Sequence, residues 1–135
     1  MNRTIAIEGK AGGKRTIGIV LSALVSIFLL IDAGMKLASL PVSIQATIAL
    51  GFREADVFTL GALGLLCTVL YMIPRTAVIG AVMLTGLLGG AVAAQMRVGA
   101  PLFSHVLFGV YAGIFAWLGL YLRDPRVAEI AFARR

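Results

Sequence analysis

Residues 77–96 read AVIGAVMLTGLLGGAVAAQM, twenty positions without an ionisable side chain. At 1.5 Å of rise per residue, a helix of about 20 residues crosses the roughly 30 Å hydrocarbon layer of a bilayer. Backbone inside lipid must satisfy its own hydrogen bonds, so an isolated apolar run of this length reads as a helix and not a strand. Three more such runs surround it: 17–31, which continues through Asp32 and Lys36 to Leu40, then 57–73 and 102–122. The whole chain has the same character, with 60% hydrophobic and 13% charged residues and a mean hydropathy of +1.00. A soluble domain carries about 25% charged residues. A chain of 135 residues cannot bury so much apolar surface in one water-facing core. A soluble enzyme is therefore excluded, and the expected fold class is an all-α membrane protein.

The spans are placed at 16–37, 55–73, 76–96 and 102–122, between a basic lead (1–15) and a tail (123–135), as one integral membrane domain. The first run has the basic lead and apolar stretch of a secretory signal; it is read as a retained transmembrane helix. Pro74 stops the second span, and Arg97–Pro101 separates the third from the fourth. Between the first two spans, Ile44, Ile48 and Phe52 recur at helical spacing, Pro41 suits a first turn and Gly51 an ending. A short interfacial helix is expected there, the alternative being a continuation of the first span.

Twelve Lys and Arg against six Asp and Glu give a net charge of +6 and a pI near 10.3. Basic residues flank the apolar runs without interleaved aromatics for base stacking, so nucleic acid is not the expected partner; the lipid bilayer is. Nine of the cations (Arg3, Lys10, Lys14, Arg15, Arg75, Arg123, Arg126, Arg134, Arg135) fall on the side of the two termini, against Lys36, Arg53 and Arg97 opposite. The positive-inside rule then puts both termini in the cytoplasm. Tyr71, Trp117 and Tyr121 lie toward the same ends, as interfacial aromatics do.

Helices in lipid associate through small residues that let backbones approach. Gly18, Ser22 and Ser26 form such a face on the first span, Gly61 and Gly64 on the second, Gly86 and Gly90 on the third, Gly109 and Gly113 on the fourth. These faces suit an intramolecular bundle, with one left over for a homo-oligomer.

Polar residues gather toward the loop side. Asp32 and Lys36, four apart, suit an ion pair that carries the helix past the hydrocarbon edge; the alternative makes Asp32 a proton acceptor in a lipid-accessible cavity. Acids Glu54 and Asp56 suit the start of the second span. Gln95 and Arg97 close the third span, and His105 opens the fourth beside Ser104. If those span ends are adjacent, Asp32, Lys36, Gln95, Arg97 and His105 line one ligand pocket. A single His cannot supply bis-His haem ligation, and the lone Cys67 permits neither an internal disulfide nor a thiol metal site, so no metal is expected. No phosphate loop, nucleophile elbow or paired His is present. No acid lies inside an apolar run to support carboxylate-exchange transport.

Several stretches, Asp32–Lys36, Leu50–Phe52, Cys67–Thr76, Gly89–Ala93 and Tyr121–Arg126, taken in this order, resemble the DoxX-like family of small four-helix membrane proteins over about residues 31–127. The resemblance implies a bacterial inner-membrane location and, by analogy with some members, a quinone-like ligand and a membrane or soluble redox partner. Asp32 and Lys36 match the family pattern. Gly64 stands where the family usually carries Glu, and Gln95 where it tends to carry His, so two proton-handling groups are missing. The expected function is a membrane subunit that binds a small apolar or quinone-like molecule beside a redox partner. The alternative is a non-catalytic membrane anchor or oligomeric scaffold.

Overall fold

A single helix, α1, starts in the basic lead at Asn2 and runs without a break to Leu37 in the computed structural model, which describes residues 2–131. The lead is thus not a separate segment. It contains no proline, and a nucleated helix propagates outward at little cost. Its apolar part, Gly12–Leu37, is long enough to span a bilayer. After α1 come α2 (Pro41–Ala49), α3 (Glu54–Met72), α4 (Ala77–Arg97), a π-helical turn (Leu102–Val106), α5 (Phe108–Arg123) and α6 (Pro125–Ala131). The short helix is separate from α1. The fourth apolar stretch, Leu102–Arg123, is divided, because the π-turn precedes α5. Arg134 and Arg135 lie outside the described residues.

The caps explain the breaks. Ser39 N–H donates to the Lys36 carbonyl and Leu40 N–H to that of Met35, which closes α1 in a Schellman motif. Gly51 and Phe52 close α2 in the same way, as do Gly99 and Ala100 for α4. Each motif needs a left-handed residue, supplied by Gly51 (φ +90°), Gly99 (φ +70°) and, against its preference, Ser39 (φ +54°). At the start of α3, Asp56 accepts from the backbone N–H of Arg53, and its two oxygens take the Arg53 guanidinium. Pro125 opens α6, while Asp124 accepts from the Arg126 N–H.

The four long helices pack in the cyclic order α1, α3, α4, α5, with α5 closing on α1. Helices α1 and α4 are therefore diagonal. The interior is built from small and branched side chains such as Ala81, Leu84, Ala112, Ala116 and Leu120. Outward faces carry Ile17, Leu24, Ile27, Ile79, Val82 and Ile114, each at least half exposed. In water that surface would drive aggregation; in lipid it is the ordinary solvated surface of a membrane bundle. The chain is an integral membrane protein of four helical spans.

One end of the bundle holds the start of α1, the α3–α4 turn and the end of α5; it is called here the terminus end. At it Gly18 and Gly119 let α1 and α5 cross almost in backbone contact. A Cβ on Gly18 would sit 2.6 Å from the Arg123 nitrogen, and one on Gly119 at 2.6 Å from Ser22 Oγ. Gly61 meets α1 at Lys36 Cβ, and Gly109 meets α4 at the Leu88 carbonyl oxygen. Gly64 and Gly113 make ordinary contacts, whereas Gly86 and Gly90 face nothing within 4 Å. The tightest approach on α4 is at Gly80, which lies on the backbone of Leu70 and Tyr71.

Candidate functional site

The five polar residues expected to share one pocket lie on three elements. Asp32 and Lys36 sit on α1 and Gln95 and Arg97 on the diagonal α4, while His105 sits in the π-turn, which packs on α4 and α5. Lys36 Nζ donates to Asp32 Oδ2 within one turn of α1. Asp32 remains 44% exposed while Lys36, whose stem lies against Gly61, is 17% exposed. Gln95 is half-buried near the end of α4. Arg97 donates from Nη2 to the Leu50 carbonyl at 3.0 Å, satisfying an orphan acceptor at the end of α2. The guanidinium fills the space over Gly51, where a side chain would collide with it. His105 is exposed, with Nδ1 at 2.7 Å from Ser104 Oγ.

Two recesses among the described residues bear on function. One, of about 460 Å³, lies between the end of α1, α2 and the start of α3, and is lined by Ser39, Ile44, Glu54, Ala55, Val57 and Phe58. The other, of about 190 Å³, is an apolar groove between α1 and α5, lined by Leu24, Val25, Phe28, Phe108, Tyr111, Ala112 and Phe115. The Phe28 and Phe108 rings meet across it, centroids 5.0 Å apart and tilted by 56°. None of the five polar residues lines either recess. Two of them lie close to its wall residues in sequence, however. Leu24, Phe28 and Asp32 follow one another at i, i+4 on α1, and His105 precedes Phe108 by three positions. The groove therefore has an aromatic floor, and on α1 Asp32 follows Phe28 one turn nearer the loops. Its wall residues were missed by composition alone, since an aromatic facing lipid looks the same in a sequence as one facing a groove.

A second polar cluster, at the terminus end, is fully internal. Tyr71, which the sequence suggested as an interfacial aromatic, is 0% exposed. Its Oη donates to the Ala116 carbonyl at 2.6 Å and accepts from Ser22 Oγ at 3.0 Å, joining α3, α5 and α1 at one point. Arg123 stacks 4.7 Å from the Tyr71 ring centroid and donates to the Tyr71 carbonyl at 2.7 Å. Thr76 Oγ1 caps the Leu70 carbonyl, so two of the last acceptors of α3, freed because Pro74 ends the helix, are satisfied. This cluster fastens the bundle. Its buried groups are saturated by one another, and among the described residues no fully buried side-chain nitrogen or oxygen lacks a partner.

Outside the spans, the Arg126 guanidinium holds the Asp124 carboxyl below the usual carboxylate range, an effect that burial only partly offsets. Among the described residues no three His, Cys, Asp or Glu side chains converge as a metal site would require.

No curated protein and no solved structure matches the chain. A family model does: that of the DoxX-like family, over residues 20–119. The matched stretch takes in the second half of α1, all of α2, α3 and α4, the π-turn and most of α5, including the groove, Tyr71 and the Asp32–Lys36 pair. The chain belongs to the DoxX-like family.

Proposed function

We propose that this protein is a membrane subunit that holds a small apolar, quinone-like molecule in the groove between α1 and α5 and works beside a redox partner. The observation that carries the reading is the groove itself, with the tilted Phe28–Phe108 pair as floor and Asp32 one turn beyond Phe28 toward the loops. An apolar site needs only a few placed polar groups to orient a ligand. Aromatic faces suit a flat ring; the Ser104–His105 pair and the Asp32–Lys36 pair offer donors to ring oxygens. π-turns occur often at functional sites, and here one carries His105. Gln95 and Arg97 are left out of this reading because neither lines the groove and Arg97 donates to the Leu50 carbonyl. On the positive-inside rule, with nine cations on the side of the termini and three opposite, both termini face the cytoplasm across a bacterial inner membrane.

The test is direct. Protein purified in mild detergent is extracted with organic solvent and the extract assayed for quinone by absorbance. The proposal expects close to one quinone per chain, reduced severalfold in Phe108→Ala and in His105→Ala. Quinone-free protein that shows no ultraviolet-detected uptake of an added short-chain quinone overturns it.

The alternative is a non-catalytic anchor or homo-oligomeric scaffold. It is favoured by the exposed face of α4, where Gly86, Gly89 and Gly90 have no neighbour within 4 Å, and by Gly64 and Gln95 standing where proton-handling groups are usual in the family. Native mass spectrometry showing a defined oligomer of ligand-free protein is its signature.

A further inference from the structure

The charges of this protein are divided unequally between its two ends. The loop end carries three cations and three acids, and each cation is committed. Lys36 is held by Asp32, Arg53 by Asp56, and Arg97 by the Leu50 carbonyl. The remaining nine cations and three acids fall by sequence on the side of the termini, so the whole net charge of +6 belongs to that side. There Arg123 is used by Tyr71, and Arg126 by Asp124 and the Pro74 carbonyl. Lys10, Lys14, Arg15 and Arg75 are exposed and, among the described residues, have no acidic partner.

Their placement sets all four at the terminus end. Gly18 abuts the backbone of Arg123, the last residue of α5. Arg15 and Lys14 are about one helical turn beyond Gly18, and Lys10 one turn further. Arg75 occupies the α3–α4 turn at the same end, after Pro74, which Arg126 contacts. Lys10 and Lys14, four apart, repel each other along one face of α1, an arrangement that disfavours the helix unless an anion lies between them. Four unpartnered cations on two elements thus stand just past the apolar surface, where lipid phosphates lie.

We infer that the terminus end is a binding surface for anionic phospholipid headgroups, with Lys10, Lys14, Arg15 and Arg75 as its contacts. The surface holds acidic lipids around the first span and the turn between the second and third, independently of any ligand in the α1–α5 groove. Each Lys or Arg near an anionic lipid surface favours binding by roughly fivefold, and salt screens the attraction.

The full chain in neutral detergent is titrated with phosphatidylglycerol and with phosphatidylcholine of the same acyl chains, and bound lipids are counted by native mass spectrometry. Phosphatidylglycerol is expected to bind at least about fivefold more tightly, with the preference shrinking as ammonium acetate is raised. The triple variant Lys14→Gln, Arg15→Gln, Arg75→Gln loses the preference, whereas Arg53→Gln, at the loop end, keeps it. Equal binding of the two lipids by the unmutated chain, or a preference that salt leaves unchanged, overturns the inference without recourse to any variant. So does a folded triple variant with its preference intact.

Discussion

Replacing Gly80 by alanine tests how the bundle is held. A Cβ there would lie 2.5 Å from Tyr71 Cα and 2.6 Å from the Leu70 carbonyl carbon, both backbone atoms with no rotamer to yield. Ordinary carbon contacts are about 3.5–4.0 Å, so α3 and α4 would have to part by about 1 Å. The turn through Pro74 joins the two helices only one turn away, so they cannot separate there without disturbing the Tyr71 cluster. Overpacking typically costs about 1–3 kcal/mol. Alanine's better helix propensity returns at most about 1 kcal/mol, and losing a Tyr71 hydrogen bond adds about 0.6 kcal/mol on the scale measured in membranes. The expected net loss is about 2 kcal/mol. Gly86→Ala is the matched control: nothing lies within 4 Å of its Cβ, so its stability should stay within about 1 kcal/mol of the parent. Unfolding in mixed neutral-detergent and dodecyl-sulfate micelles reads both, using the fluorescence of the single Trp117, whose Nε1 donates to Thr85 across α4 and α5. Gly80→Ala that fails to fold beside a folded Gly86→Ala agrees with the reasoning. Two indistinguishable variants, or a costlier Gly86→Ala, refute it.

Three further outcomes are expected. Tyr71→Phe removes the donor to Ala116 and the acceptor for Ser22, for a loss of about 0.6–1.7 kcal/mol in the same micelle titration; no change would mean the contacts are replaced by local ones. Ser39→Gly relieves the one non-glycine residue at positive φ among those described and should stabilise by about 1 kcal/mol, whereas Gly51→Ala should destabilise through both its φ and its collision with Arg97. The Asp124 carboxyl is held below its ordinary range, so its contribution is present above the unfolded value and lost as pH falls through the depressed folded one. Amide exchange over 125–131 should therefore stay protected through mild acid and accelerate only below the usual carboxylate range; Asp124→Asn should exchange fast at every pH.

The spans were legible because lipid imposes a length and an apolar requirement that residues 77–96 meet without help from tertiary context. The α1–α2 break was legible too, since Pro41 and Gly51 are conformational signals that act locally. The end expected at residue 37 is where α1 stops, but its closing device was not legible, because Ser39 adopts a left-handed conformation that glycine would ordinarily advertise. Neighbour relations escaped for a different reason. Small-residue faces recur on all four helices, and nothing in their spacing tells which one meets a partner. Gly86 and Gly90 have the same spacing as Gly109 and Gly113, yet only the latter pair touches another helix. The five-residue grouping rested on helix order, which spacing along one chain does not encode; Arg97 is used instead by the Leu50 carbonyl, and none of the five lines either recess described above. Tyr71 misled because an amphipathic ring near a helix end is equally at home at an interface or under a cation, and only the packed Arg123 and Ser22 decide it.

The central claim is that four helices cross lipid and return both termini to the more basic side. Its most direct measurement uses the lone Cys67, replaced by serine to give a cysteine-free background. Single cysteines are then introduced at Lys10, Ser39, Arg75 and Ala100 and exposed to a membrane-impermeant maleimide on intact bacterial spheroplasts. Ser39→Cys and Ala100→Cys should label on intact spheroplasts, and Lys10→Cys and Arg75→Cys only after lysis. Labelling of Lys10→Cys and Ser39→Cys from the same side, or of Lys10→Cys and Arg75→Cys from opposite sides, would contradict it.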